Sequence, residues 1–534
     1  VTTDRNDMGD RGRHMTCQYR LPLLRTTIIA CIGMLATTLP PASAAQVSGG
    51  LSVMQPEPPR SMDPADQVAT DTSSILTAMY EGLVRAGADG AIHPLLATTW
   101  THDTQGTTWD FVLRRNVRFH DGHPMTAGDV VRSFRRLLDR NAPLAGSSRF
   151  MAVVDAVTTT DDDMTVRFHL RRPYPDFLLL LSFSQAFVTS PYAGASLSRH
   201  ADGTGPFRFE EWKSSEYVTQ SRNPEYWGTP PEITSVRWIW SAEPSVMDMS
   251  LHTGDSDIVS DLPALYAQQM QGDPRFVIHD DANGPLYWIA INMDRRAGSD
   301  LRIRQALNYA TDRQALVHAL LRDRGQPARS PLQPVSPYFV SYAPDPQYDP
   351  QRARALLSEA GLGTGLTFSL AVQEMDEPIA EALQDMWKKS GITLHISRLE
   401  GGVYASEAFA GPAQKEALQL DGVLASWSSG FIADMQLRPL FYSGSAAPAG
   451  ANLGFFHDPD VDALINAGAV ETSGENRKAI YAKVQQMIMH DAPAVLIYTR
   501  DTLVGMRADI SGLVVRPDGA LDITHVTRNR QSRS

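Results

Sequence analysis

Three stretches of this sequence combine residue types that could do chemistry. Phe119-His120-Asp121-Gly122-His123-Pro124 sets two histidines three apart beside an aspartate, a donor set that a zinc-like ion would accept. The same residues also spell a turn, because Asp-Gly favours positive φ and proline fixes the exit, and the turn is the expectation. Gly254-Asp255-Ser256-Asp257 and Asp522-Ile523-Thr524-His525 together mimic the separated serine and Asp-x-x-His elements of an esterase, with His525 as the base for Ser256. Motifs this short arise readily by chance, so the esterase stands as the alternative. Leu424-Ala425-Ser426-Trp427-Ser428-Ser429-Gly430-Phe431 offers aromatic and hydroxyl surface suited to holding a molecule. After residue 44 there is no Gly-x-Ser-x-Gly elbow, His-Glu-x-x-His pair or phosphate-binding glycine loop. The expectation is binding without catalysis, with no cofactor and no bound metal.

Bulk properties narrow the class. At 534 residues the chain should form several domains. Its formal charge of −12, without a polybasic block, argues against nucleic acid as a partner. Arg11, Arg13, Arg20 and Arg25 precede the mostly apolar run 26–39, which ends at Pro40-Pro41 and Ala42-Ser43-Ala44. That is the pattern of a secretory signal peptide over 1–44, cleaved after Ala44, and it predicts a periplasmic protein. The apolar core is too short to span a bilayer. A lipid anchor at Cys31 is the lesser alternative. Cys17 and Cys31 are the only cysteines, so an exported mature chain holds together without disulfides.

Several elements would position the candidate residues. Leu51 to Met54 reads as a strand, ending at Gln55 where Pro56 stops it. Ile75, Leu76, Met79, Tyr80 and Leu83 have helical spacing, while 109–113 and 165–170 alternate as half-buried strands do. Thr126 or Asp129 starts a helix, and Asp300 and Asp312 start two more. Strands are also predicted at 217–220, 236–240, 287–292, 366–372 and 393–396. Helices are predicted at 351–360, 377–390, 458–467 and 476–489. Strand and helix mix throughout, which defines an α/β protein.

Ordered blocks then carry a resemblance. Ser61-Met62-Asp63-Pro64 with Tyr80-Glu81-Gly82-Leu83 comes first, followed by Pro94 to Trp100, Val117 to Gly122 and Thr126 to Val130. Gly203-Thr204-Gly205-Pro206-Phe207 pairs with Asn223-Pro224-Glu225-Tyr226-Trp227, and Asp300 to Arg313 and Ala353 to Gly361 complete the series. This chain resembles the extracytoplasmic solute-binding proteins of peptide-type ABC importers, the group of oligopeptide, dipeptide and nickel binders.

The resemblance implies a two-lobed, class II periplasmic-binding-protein-like fold with an extra inserted α+β domain. Residues 45–85, 204–283 and 498–534 would build the first lobe, 86–203 the insertion and 284–497 the second lobe. It further implies a peptide or peptide-like solute, membrane permease subunits and separate ATPase subunits as partners, and a monomeric chain. A metal or metallophore cargo is the alternative within the same family. The implied ligand contacts are Trp427, Ser428, Ser429 and Gly430, with Tyr287 and Tyr498 at the lobe crossings, Gln55 at a strand end, and Tyr404. Peptide binders of the family commonly place an aspartate where Gly430 stands, to pair with the ligand ammonium. Its absence puts free-amino peptides in doubt, with Asp434 the nearest carboxylate.

Overall fold

The computed structural model describes residues 49–342, 347–363, 365–428 and 431–529. The signal-peptide reading of 1–44 and the candidates Ser429 and Gly430 fall outside them. Strands of the three principal sheets, in chain order, are β1 (Gly50–Gln55), β2 (Ala97–His102), β3 (Thr108–Leu113), β4 (Val154–Thr159) and β5 (Thr165–Leu170). There follow β6 (Phe207–Lys213), β7 (Tyr217–Arg222), β8 (Ser235–Trp240), β9 (Ile258–Val259) and β10 (Phe276–Asp281). The rest are β11 (Leu286–Ile291), β12 (Gly325–Pro327), β13 (Leu366–Gln373), β14 (Ile392–Leu399), β15 (Gly422–Trp427), β16 (Ala494–Arg500) and β17 (Thr502–Arg507).

One sheet has seven strands in the order β10-β17-β9-β1-β8-β7-β6. At its centre β1 runs parallel to both β8 and β9, so their carboxyl ends point the same way. Leu51 and Val53 of β1, Val236 and Trp238 of β8 and Val218 of β7 fill its core.

A second sheet has six strands in the order β12-β16-β11-β15-β13-β14. Both of its faces are covered, which is why β11 and β16 read as nearly unbroken apolar runs rather than alternating ones. Ile289, Leu424, Val495 and Ile497 pack on one face with helices Leu301–Tyr309 and Glu377–Lys388. Trp288, Val423, Ala425 and Leu496 pack on the other with helices Ala433–Phe441, Pro459–Val470 and Gly474–Asp491.

The third sheet, β2-β3-β5-β4, is antiparallel. Its alternating residues Trp109, Phe111, Leu113 and Val166, Phe168, Leu170 turn inward against helix Ala127–Leu137 and Phe177. That helix starts at Thr126, one of the two expected positions, with a capping box in which the Asp129 carboxylate accepts from the Thr126 N–H at 2.9 Å.

The chain passes between the two large sheets twice, at Ala282–Pro285 and at Asp501. The second passage shifts the sequence-based boundary of 497: Tyr498 belongs to β16 and so to the six-stranded sheet. The pattern of alternation could not show this, because a register shift opposite Tyr287/Trp288 adds a residue to β16. Such a bulge re-aims side chains. Ile497 and Tyr498 consequently pack in the same cluster, and Tyr498 sits opposite Tyr287.

The recurring blocks also have structural work. Glu81 is buried and its carboxylate accepts from Thr204 Oγ1 at 2.7 Å, Tyr226 Oη at 2.8 Å and Trp227 Nε1 at 2.8 Å. Burial pushes its pKa up to about 7, against the pull of those three donors and Arg114. One acid thus ties Tyr-Glu-Gly-Leu to Gly-Thr-Gly-Pro and Asn-Pro-Glu-Tyr-Trp. The His120–His123 stretch is the expected turn: Phe119 N–H donates to His123 O at 2.9 Å, and Gly122 has φ +89°. His120 lies with Nε2 3.0 Å from Gly205 O. Among the described residues no cluster of His, Cys, Asp and Glu could hold a metal ion, and no helix is long and apolar enough to cross a membrane.

Candidate functional site

Ligands of open α/β sheets lie beyond the carboxyl ends of the strands, and here polar groups from both large sheets collect at those ends. On the seven-stranded side, Gln55 closes β1 with only 1% of its surface exposed. Its Nε2 donates to Glu57 O at 2.7 Å, which fixes the amide orientation and leaves Oε1 without a partner. Glu57 N–H in turn donates to Asp71 Oδ2 at 3.0 Å in the first turn of helix Thr70–Thr77. Asp261 follows β9 in a left-handed conformation, φ +51°.

On the six-stranded side, Arg500 ends β16 and reaches across the passage to Asp261, Nη2 to Oδ1 2.9 Å. Tyr287 and Tyr498 face each other with ring centroids 5.1 Å apart, and Ser426 of β15 is the other partner of Tyr287 in register. Asp376 follows the end of β13. Its flanking acids Glu374 and Glu377 both engage Arg398 of β14, the latter at 3.0 Å, and Asp376 itself takes no hydrogen bond or ion pair from the described residues. Tyr404, on helix Gly401–Ala408, donates to Leu424 O at 2.6 Å.

The electrostatics follow from this packing. Burial pushes Asp71 up to about 7; the Glu57 N–H pulls it back while Asp261 and Glu57 repel its charge. Burial pushes Asp376 up to about 6, tempered by Arg500. Burial likewise raises Tyr287, Tyr404 and Tyr498, and the Asp376 charge adds to each. Asp261 is the main influence holding Arg500 charged.

Of the sequence-based candidates, Gln55, Tyr287, Tyr404 and Tyr498 belong to this group. Trp427 is placed differently. It sits opposite Leu286 in register, hence on the sheet face away from Tyr287, and its Nε1 donates to Met435 O at 2.9 Å. Ser428, just beyond β15, is exposed. Asp434 does not replace the missing aspartate, because it is buried against Arg438, with Oδ1 2.9 Å from Nη2. Sequence reasoning missed Asp71, Asp261, Asp376 and Arg500. They lie in four separate segments, and the only signal available was their position just past strands and at a helix start.

Hydrolytic chemistry finds no assembled machinery in its proposed residues. Ser256 is fully buried with Oγ unpartnered, whereas His525 is exposed, so the esterase pair is not formed. Asp257 is engaged by Ser52 N–H at 2.9 Å and by Arg528. Ser443 Oγ does lie 2.7 Å from His457 Nδ1 on an exposed turn. Asp462 there accepts from the Ser443 N–H rather than from the imidazole, so it does not orient the histidine as a base. A cavity of about 190 Å³ lined by Asn308, Tyr309, Arg352 and Pro493 contains none of the residues of this polar group.

Two α/β sheets joined by two passages, with polar groups of both converging at the strand ends, define a solute-binding protein of the two-lobed type. Residues 91–449 match the family model of bacterial extracellular solute-binding proteins, family 5 (middle part), and this chain belongs to that family. Among curated relatives, the glutathione-binding protein GsiB of Pectobacterium atrosepticum is 27% identical over 86% of this chain and 90% of its own length. The probable D,D-dipeptide-binding periplasmic protein DdpA of Escherichia coli K12 is 24% identical over 92% of this chain and 96% of its own. Among solved structures, the Helicobacter pylori periplasmic binding protein DppA in complex with the peptide STSA superposes with a TM-score of 0.78 at 23% identity, covering 90% of this chain and 98% of that one. A Pseudoalteromonas dipeptide-binding protein in complex with Met-Leu gives 0.79 at 23%, covering 90% and 100%.

Proposed function

We propose that this chain is the extracytoplasmic substrate-binding subunit of an ABC importer. It captures a peptide or peptide-like solute between its lobes and passes it unaltered to a membrane permease driven by separate ATPase subunits. Residues 1–44 serve as the cleaved signal peptide, and the mature chain acts as a periplasmic monomer without cofactor. The first lobe comprises 45–85, 204–283 and 501–534, the second 284–500, and 86–203 form the inserted domain.

The observation that carries this reading is the meeting of Arg500 and Asp261 at 2.9 Å across the passage between the sheets, beside Gln55, whose Oε1 lacks a partner, and Asp376, which takes no hydrogen bond from the described residues. A solute touching Gln55, Asp71 and Asp261 on one lobe and Tyr287, Tyr404, Asp376 and Tyr498 on the other makes its full set of contacts only when the lobes close. Ligand therefore shifts the open–closed equilibrium by its differential affinity. Ser428, exposed just beyond β15, is the remaining sequence-based candidate on the second lobe that a solute could touch.

Stabilisation by ligand tests the reading. A solute at a hundredfold excess over Kd adds about 2.7 kcal/mol to the folded state. Thermal scans against pools of di- to pentapeptides should show a raised Tm for at least one pool, while an activated ester stays intact in the same samples. No shift with any pool, or ester turnover lost on Ser256→Ala, would sink it.

A further inference from the structure

Charge in the cleft group is unbalanced. Glu57, Asp71, Asp261 and Asp376 supply four carboxylates, against Arg500 and the exposed Arg60, which sits 3.6 Å from Glu57. The compensation is also uneven. Arg500 pairs with Asp261 through Nη2 while its buried Nε has no partner, and Arg398 pairs with Glu374 and Glu377, so among the described residues neither Asp71 nor Asp376 has a cation of its own. Neighbouring acids in the same turn found partners while Asp376 was left open beside three tyrosine rings.

A second observation is independent of the acids. Gln55, 99% shielded from solvent, holds an acceptor oxygen that no described residue satisfies, and it is linked to Asp71 through Glu57. A buried acceptor without a donor is costly unless something supplies an N–H or O–H. Carboxylates from two lobes, aromatic faces and an orphan acceptor share one complement: a hydrogen-bearing positive nitrogen.

Resting on the proposed solute-capture role, we infer that the preferred solute carries net positive charge as primary amine groups. One amine docks at Asp376 among Tyr287, Tyr404 and Tyr498, and the opposite end of the solute meets Asp71 and Gln55 Oε1. Net-anionic solutes such as glutathione are disfavoured, which separates this chain from the relatives named for that tripeptide. The free protein keeps part of its acid charge neutral, since burial raises both Asp71 and Asp376. An arriving amine makes ionisation favourable and expels protons. Affinity for it consequently rises with pH between about 5 and 8, the window set by those two groups with Glu57, Asp261, Arg500 and the three tyrosines as their charged and titratable surroundings.

The test is calorimetric titration of the full mature chain at pH 7.5 with five probes: Lys-Ala-Ala amide, Ala-Ala-Ala, N-acetyl-Ala-Ala-Ala, reduced glutathione and spermidine. Lys-Ala-Ala amide should bind tightest among the peptides, with proton release detected as a buffer-dependent heat. Asp376→Asn should weaken it about ten- to a hundredfold, the loss expected for a charge-assisted contact. The same variant should raise the Tm of the unliganded protein, because it removes a half-buried, unpaired carboxyl whose charge is disfavoured there; this readout shows that the variant folds. Tighter binding of glutathione or the acetylated peptide, or an unchanged affinity in Asp376→Asn, overturns the inference while leaving peptide capture standing. Binding of spermidine alone upholds the charge inference and overturns peptide capture. Failure of all five overturns the inference.

Discussion

Asp176 and Arg477 form a buried ion pair between the start of helix Phe177–Ser182, which packs on the four-stranded sheet, and helix Gly474–Asp491 over the six-stranded sheet, with 7% and 3% of their side chains exposed. Arg477 is held from every side: Nη1 donates to Asp176 Oδ1 at 2.9 Å and to Tyr338 Oη at 2.9 Å, and Nε to Gly468 O at 2.9 Å. Its guanidinium also lies 4.9 Å from the centre of the Tyr338 ring. Asp176→Ala leaves this cation desolvated beside dipoles and ring faces but without a counter-charge, a loss of about 3–5 kcal/mol. Unfolding entropy is about 2.1 cal/mol/K per residue, or roughly 1 kcal/mol/K for a unit of this size, so Tm should fall by about 3–5 °C if the protein melts as one unit. If the proposed inserted domain, 86–203, melts first, its smaller entropy multiplies the shift roughly fourfold and a separate calorimetric peak appears. Asp176→Leu combined with Arg477→Met should recover most of the loss, since a packed apolar pair replaces a buried ion pair at little cost. A Tm within about 1 °C of the parent for Asp176→Ala would refute the reasoning, because it would mean that the pair is not closed and dry in solution.

Further outcomes follow from single residues. Asp71→Asn keeps an acceptor for the Glu57 N–H and removes the charge. A folded-state pKa raised to about 7 means that stability is fully present below about 4 and is lost as pH rises toward 7. The variant should therefore match the parent near pH 4 and exceed it at pH 8 by up to about 4 kcal/mol, read from denaturant midpoints; equal stability at both pH values would contradict this. Gly205→Ala should fail to fold or lose several kcal/mol, since its Cβ would meet the Met79 backbone carbonyl at 2.6–2.7 Å. A soluble variant with unchanged Tm would disprove that packing.

Much of the architecture was legible because its determinants are local. Thr126 and the caps Asp300 and Asp312 announce their helices, and the alternating 109–113 and 165–170 announce their strands. Strand β16 was harder: with both faces buried it has no alternation, and its bulge at Ile497 is invisible until β11 is laid beside it. The candidate polar group was legible only in its aromatic members. The resemblance put Tyr287 and Tyr498 at lobe crossings, and they do face each other, whereas Asp71, Asp261, Asp376 and Arg500 become a group only through tertiary pairing. Trp427 read as part of the same wall, yet the one-residue parity of a strand turns it to the other face. Asp434 looked free in sequence because Arg438, one helical turn on, claims it only once the helix forms.

Native mass spectrometry of the purified mature chain, incubated with a pool of amine-bearing short peptides, tests solute capture most directly. The account predicts a one-to-one complex that releases a peptide of unchanged mass, and loss of that complex when Arg500→Ala and Asp376→Asn are combined. A peptide recovered cleaved or otherwise converted, or a complex that persists undiminished in the double variant, would contradict it.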